Sequence, residues 1–203
     1  MFPGDGFDPR TGAPTVSSSS APSISPERYL EAERRAETKS EYLAGQVFPM
    51  TGASLEHNLI VVNLILVIGT QLKGRPCQVL PSDMRLHIPA TGLYTYPDVT
   101  VVCGTPELED EHFDTLLNPT VVIEVLSPST ERWDRGRKAE HYRSIPSLQE
   151  YLLVSQDAPR IEQYRRHGER EWVLTDAIGT EDRVELASIG CVLALRDVYA
   201  RVF

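Results

Sequence analysis

Two carboxylates stand in stretches that otherwise read as buried strand. In "TVVIEVLSPST" (120–130), Glu124 sits among Val121, Val122, Ile123, Val125 and Leu126; in "YPDVTVVC" (96–103), Asp98 precedes a run of valines. Burying an ionised carboxylate without a partner costs several kcal/mol. Two such acids on adjacent strands repel unless one is protonated or both hold a cation. No His or Cys cluster lies nearby, so hard oxygen donors point to Mg²⁺ or Mn²⁺. Taken singly, each acid has an ordinary explanation: Asp98 caps a turn after Pro97, and Glu124 pairs with an arginine.

The next segment, "SPSTERWDRGRKAEHYRS" (127–144), places Asp134, Lys138 and Tyr142 at i, i+4 and i+8, on one helical face. Arg132, Arg135, Arg137 and Arg143 crowd the same segment. Lys138 reads either as a solvated lysine bridged to Asp134 or as a cation near a metal and a phosphate, where charge develops in phosphoryl transfer. His57 follows Ser54 in the first turn of a helix. It either contacts a scissile phosphate or satisfies the helix N-terminus or a core carbonyl. Asp83, in "PSDMR", is a turn residue or an Arg85 partner, or else a further acid behind the site.

Elements must carry these groups. Ser25-Pro26 signals an N-cap and first helical position, predicting a helix over about 26–43. "QVFPM" is a short strand. Ser54 caps a second helix, about 55–72, whose centre is apolar nearly all round and which is therefore expected to be buried. Strands are predicted at 77–88, 97–103 and 120–127, a third helix at about 134–144, a strand at "EYLLVS", and a hairpin around His167-Gly168. The acidic insert "TPELEDEHFD" (105–114) reads as a solvated loop without fixed carboxylate geometry. The pattern predicts an α/β fold with a central mixed β-sheet flanked by helices.

The 203 residues are 41% hydrophobic and 24% charged, enough for one cored domain. A flexible Gly/Pro/Ser-rich tail is expected over 1–25 and the domain over 26–203. A net charge of −9 argues against coating nucleic acid through bulk positive charge, though not against a local basic groove. Cys77, Cys103 and Cys191 lack metal-ligand spacing, so buried free thiols in a reduced cytoplasmic protein are expected. The apolar run at 59–68 is too short to span a bilayer, so no membrane partner is expected.

Pro97-Asp98, then Glu124 twenty-six residues later, resembles the PD-(D/E)XK nuclease superfamily. More narrowly, "EYLAGQVFPMTGAS", "PSDMRL", "YPDVTVV", "NPTVVIEVLSPST", "DRGRKAEHYRSIPSLQEYLLV" and "SIGCVLAL" are similar to the Uma-type family of bacterial proteins labelled restriction endonucleases, over about residues 26–203. The resemblance implies a restriction-endonuclease-like core and Mg²⁺-dependent cleavage of DNA. It implies that Asp98, Glu124 with the Val125 backbone carbonyl, and Glu41 on the first helix hold the metal. The superfamily pattern wants a lysine two residues after the acid; Leu126 stands there, and Lys138 is the matching substitute. The resemblance leaves Tyr142, Asp134 and His57 as auxiliary groups and Arg132, Arg135 and Arg137 to hold phosphates. One site cuts one strand, so a homodimer is expected if both are cut. Two other readings remain: a non-cleaving nucleic-acid- or protein-binding module of the same fold, and an oligomeric structural protein without a site.

Overall fold

A computed structural model describes residues 23–128, 130–169 and 171–203. Most of the expected tail, residues 1–22, lies outside the described residues. The chain is α/β, with two mixed sheets flanked by helices where one was expected. The larger sheet runs β11-β10-β9-β8-β6-β3, antiparallel throughout except for the β8–β9 pair. Its strands are β3 (Cys77–Pro81), β6 (Val99–Cys103), β8 (Val121–Val125), β9 (Glu150–Val154), β10 (Arg160–His167) and β11 (Glu171–Ile178). The smaller sheet runs β2-β1-β5-β4-β7 and holds β1 (Ser40–Leu43), β2 (Gln46–Pro49), β4 (Arg85–Ile88), β5 (Leu93–Thr95) and β7 (Thr115–Leu116). A separate hairpin pairs β12 (Arg183–Leu186) with β13 (Cys191–Ala194).

Strand β8 is buried on both sides, and its alternation sorts residues between two cores. Val121, Ile123 and Val125 face Ile60, Leu64 and Ile68 of helix α2 (Leu55–Gln71). Val122 and Leu126 join the other core with Val102, Tyr142, Tyr151 and Leu153. Glu124 has the parity of this second set, so its carboxylate points where Leu126 and Tyr142 pack. β6 pairs with Val99 opposite Ile123, and continuing that register sets Asp98 level with Glu124.

Several elements depart from the sequence reading. Helix α1 stops at Glu33 (Pro26–Glu33), although Ser25 caps it as expected. The Glu33 carboxylate receives both the backbone N–H of Ser40, at 2.7 Å, and its hydroxyl, at 2.5 Å. The chain there turns into β1, whose alternate residues Ser40 and Tyr42 are buried. Glu41 therefore rides a strand, not the first helix. The predicted strand at 77–88 is two strands, β3 and β4, in different sheets, separated by a turn at Ser82–Met84. Asp83 occupies that turn but bridges Lys39 at 2.6 Å. Arg85 instead donates to the Tyr96 hydroxyl at 2.8 Å and to the Thr115 hydroxyl at 3.0 Å. Helix α2 is not buried all round: Leu55, Val62 and Leu66 are 70%, 52% and 61% exposed. Cys77 and Cys103 are not free thiols. They are directly opposed on β3 and β6 and joined by a disulfide, leaving Cys191 as the buried free cysteine among the described residues. No described helix is long and apolar enough to cross a membrane.

The acidic insert is also more ordered than expected. Arg34 reaches Asp114 with two parallel bonds (Nε to Oδ2 at 2.8 Å, Nη2 to Oδ1 at 3.0 Å) and Asp110 at 2.6 Å. Glu109 accepts from the Tyr94 hydroxyl at 2.7 Å and lies 2.9 Å from His87.

Candidate active site

A cleft of about 510 Å³ opens where the two sheets meet the start of α2. Its acids come from four separate elements. Glu41 arrives from β1, Asp98 from the entry to β6, Glu124 from β8, and Asp134 from the segment after β8. That segment is α3 (Glu131–Trp133), a π-helical turn over Asp134–Lys138, and α4 (Ala139–Arg143). Gly136 within the turn lowers helix propensity, and such wide turns recur at functional sites.

Lys138 lies at the centre. Its Nζ is 2.9 Å from Glu41 Oε1, 2.9 Å from Glu124 Oε1 and 3.3 Å from Asp134 Oδ1. Tyr142, one turn further on, donates to Glu124 Oε1 at 2.5 Å. Thr95 donates to Glu41 Oε1 at 2.5 Å. Asp98 is oriented separately: its Oδ2 accepts the Val125 backbone N–H at 2.7 Å and sits 3.2 Å from His57 Nε2. His57 is placed there because its own N–H bonds the Ser54 cap hydroxyl at 3.1 Å, fixing the first turn of α2.

Burial pushes the Glu124 carboxyl up to about 8 despite Lys138, and Asp134 and Asp98 push it the same way. Burial likewise raises Asp134. Burial would raise Glu41 too, but Lys138 and the Thr95 hydroxyl outweigh it and hold it below the usual range. Burial alone would lower the Lys138 ammonium, yet Glu124, Tyr142, Glu41 and Asp134 hold it well above its ordinary value. The His57 imidazole is raised because its bond to Asp98 overcomes burial.

Four acids thus line the cleft with two ammonium groups and one imidazole; Lys39 is engaged by Asp83 at 2.6 Å, which leaves acid in excess around Lys138. Three buried atoms here, His57 Nδ1, Trp133 Nε1 and Asp134 Oδ1, lack a hydrogen-bond partner among the described residues, the last although it sits 3.3 Å from Lys138 Nζ. The donor set, carboxylate oxygens with a nearby backbone carbonyl, fits a hard divalent ion in chemistry. Among the described residues, however, no three His, Cys, Asp or Glu side chains are gathered around a point ready for a metal. Lys138 takes that point among Glu41, Glu124 and Asp134.

The expected phosphate-binding arginines lie outside the cleft lining. Arg135 is held by Glu131 at 2.7 Å and by Glu162, while Arg132 and Arg137 are exposed. Sequence reasoning missed Lys39, Thr95 and Trp133. Lys39 and Trp133 line the cleft, and Thr95 orients Glu41. For Thr95 a signal existed: in "LYTY" it is the one polar residue among apolar strand neighbours and is fully buried.

The family model described as "Uma2: Putative restriction endonuclease" matches residues 26–196. Two uncharacterized proteins of Synechocystis sp. are similar to the chain. One, sll1609, is 38% identical over 159 residues, 78% of this chain and 90% of the relative. The other, slr1290, is 40% identical over 178 residues, 88% and 92% respectively. A solved structure from Anabaena variabilis, described as a putative nuclease belonging to DUF820, shares the fold with a TM-score of 0.67. It is 19% identical and covers 83% of this chain and 93% of that one.

Proposed function

Since the chain belongs to the Uma2 family of restriction-endonuclease-like proteins, we propose that it is a metal-dependent nuclease hydrolysing phosphodiester bonds in DNA. The observation that carries this reading is the convergence of Glu41, Asp98, Glu124 and Asp134 on one cleft with Lys138 among them. A purely structural ion network would match acids with cations; here acids are in excess. Asp98, Glu124, the Val125 carbonyl and Glu41 would hold Mg²⁺ or Mn²⁺, which when bound supplies Lewis-acid stabilisation of charge on the phosphate.

The chain's own residues do the rest. Lys138, anchored on the π turn, presents a permanent positive charge to the phosphate or to the attacking water. Thr95 and Tyr142 fix the carboxylates of Glu41 and Glu124. Asp134 keeps Lys138 aligned, and His57 orients Asp98. Arg132 and Arg137, exposed at the start of the same segment, would meet flanking backbone phosphates. In the reaction, water oxygen bonds to phosphorus and gives up a proton to solvent, one P–O ester bond breaks, and the departing oxygen takes a proton from solvent. The functional domain would span 26–203 and act in the cytoplasm; the Cys77–Cys103 bridge pulls against that placement, and thiol counting on protein from its native cells decides it.

The test is cleavage of supercoiled, linear and single-stranded DNA in Mg²⁺ or Mn²⁺, with Glu124→Gln as control. Metal-dependent nicking lost in the variant supports the reading. A parent that binds DNA but cuts no form in either metal supports a non-cleaving module instead. The observation favouring that second reading is Leu126, a core residue where the superfamily lysine belongs.

A further inference from the structure

The apolar residues left outside on α2 fall in one line. Leu55, Leu59, Val62 and Leu66 are spaced 4-3-4, and the next position in the sequence of steps is Gly69. This is the seam pattern of helices that pack on helices. Leu55, Val62 and Leu66 are all more than half exposed, and Leu59 is half-buried. The opposite face of the helix, Ile60, Leu64 and Ile68, is already buried in the domain's core. A contiguous exposed row of this kind marks an interaction site.

Gly69 is the second observation. It lies in the interior of α2, where glycine costs about 1 kcal/mol relative to alanine. A Cβ at Gly69 would meet nothing within 4 Å among the described residues. Among them, no turn, positive φ or internal packing requires a glycine there. Its bare backbone leaves room for close approach by a side chain from outside.

We propose that α2 pairs antiparallel with α2 of a second copy of this chain. An antiparallel register about a two-fold axis places Val62 against Leu66 of the second copy and the converse, and sets Leu59 over the second copy's Gly69. Leu59 then fills the space that the missing Cβ leaves. The same register brings Glu56, in the first turn, beside the second copy's Lys73, just past the helix end. Parallel pairing would set Glu56 against Glu56 and Lys73 against Lys73, so charge selects the antiparallel arrangement. Val192, 41% exposed and held beside the C-terminal end of α2 by Gln71, adds apolar surface where the second copy's Leu55 lands. A 17-residue helix is about 25 Å long, so the seam forms the centre of a modest interface and association in the micromolar range is expected. This inference does not depend on the chemistry of the cleft.

Light scattering during size-exclusion chromatography, over a micromolar concentration series, tests it. The full chain should shift from monomer toward dimer as concentration rises, and Leu66→Glu should stay monomeric with unchanged circular dichroism. Gly69→Ala gives a check that does not rely on introducing a charge. Alanine should raise the melting temperature of the dilute monomer through helix propensity while weakening the dimer at least tenfold. Mixed Val62→Cys and Leu66→Cys proteins should cross-link to each other on oxidation. A parent that is monomeric throughout overturns the proposal, and so does a dimer that Leu66→Glu and Gly69→Ala both leave intact.

Discussion

The molecule keeps two acidic neighbourhoods, and they solve opposite problems. In the insert, Asp110 and Asp114 share the planar fork of Arg34, with Arg85 3.6 Å from Asp114; both acids are partly exposed, at 31% of their side chains. Each charge there has a guanidinium geometrically matched to it. In the cleft, Glu124, Asp134 and Lys138 are at most 5% exposed, and three carboxylates lean on a single ammonium. The insert is therefore a clamp that fastens a loop to α1. The cleft is a charge imbalance held in place by packing, which on the function proposed above a divalent cation would offset.

The widest separation between the two should come from removing the central cation of each. Lys138→Met leaves Glu41, Glu124 and Asp134 without their shared partner, and breaking a buried pair this way costs about 3–5 kcal/mol. Urea unfolding should show that loss, and millimolar Mn²⁺ should restore more stability to this variant than to the parent. If Mn²⁺ moves both proteins equally, the imbalance is not a cation site.

Glu124→Gln keeps the volume and the Tyr142 bond but removes a carboxyl that burial raises to about 8 and that a bound cation would ionise. Cleavage in Mg²⁺ should fall by about 10²–10³-fold, while the melting temperature changes by only a few degrees. A variant that cuts at the parental rate would place the chemistry elsewhere.

Arg34→Met should do the reverse. It should destabilise by about 1 kcal/mol, as expected for a partly exposed ion pair, with cleavage unchanged. Proteolysis of the native state should then open first within 105–114. A loss of nuclease activity would show that the insert is coupled to the cleft.

The smallest effect is in acid. The bond from Arg34 lowers the Asp114 carboxyl to about 2. A group lowered on folding stabilises the protein above its unfolded value and loses that contribution as pH falls through the folded one. The parent should therefore lose more stability between about pH 4 and about pH 2 than Arg34→Met does. Parallel stability curves for the two proteins would remove the clamp from the account.

What the sequence discloses follows the same division between local and distant causes. Asp98 and Glu124 are visible because each interrupts a run of β-branched residues, and Ser25 and Ser54 are visible because caps are written within four residues. The break after Glu33 is invisible to periodicity, since it depends on one carboxylate taking both polar groups of Ser40. The split at 81–85 had its signal in "PSD", but the apolar residues on either side outweighed it. The disulfide required knowing that β3 and β6 are neighbours, and no Cys spacing encodes that. The Arg34 clamp spans 76 and 80 residues of chain and exists only after folding. Reading α2 as buried equated an apolar circumference with burial by the same chain; its outer row is apolar for a reason the chain alone does not supply.

The π turn at Asp134–Lys138 acts as a change of angular phase in the helical segment. Each residue in an α-helix advances the direction of its side chain by about 100°, so a turn of different pitch offsets everything before it from everything after it. Behind the turn, α4 is indexed to the core through Ala139 and Tyr142. Ahead of it, Trp133 is indexed to the cleft, and Asp134 and Lys138 line the cleft from the two ends of the turn itself. Two surfaces that a uniform helix would have to compromise between are thereby both served, with Tyr142 on the core side still reaching Glu124 Oε1 at 2.5 Å. Deleting Gly136 would erase the offset: Tyr142 should remain protected from solvent, while Trp133 should turn away and its fluorescence should lose any response to Mn²⁺. Such a protein would stay folded with its lysine and its acids out of phase.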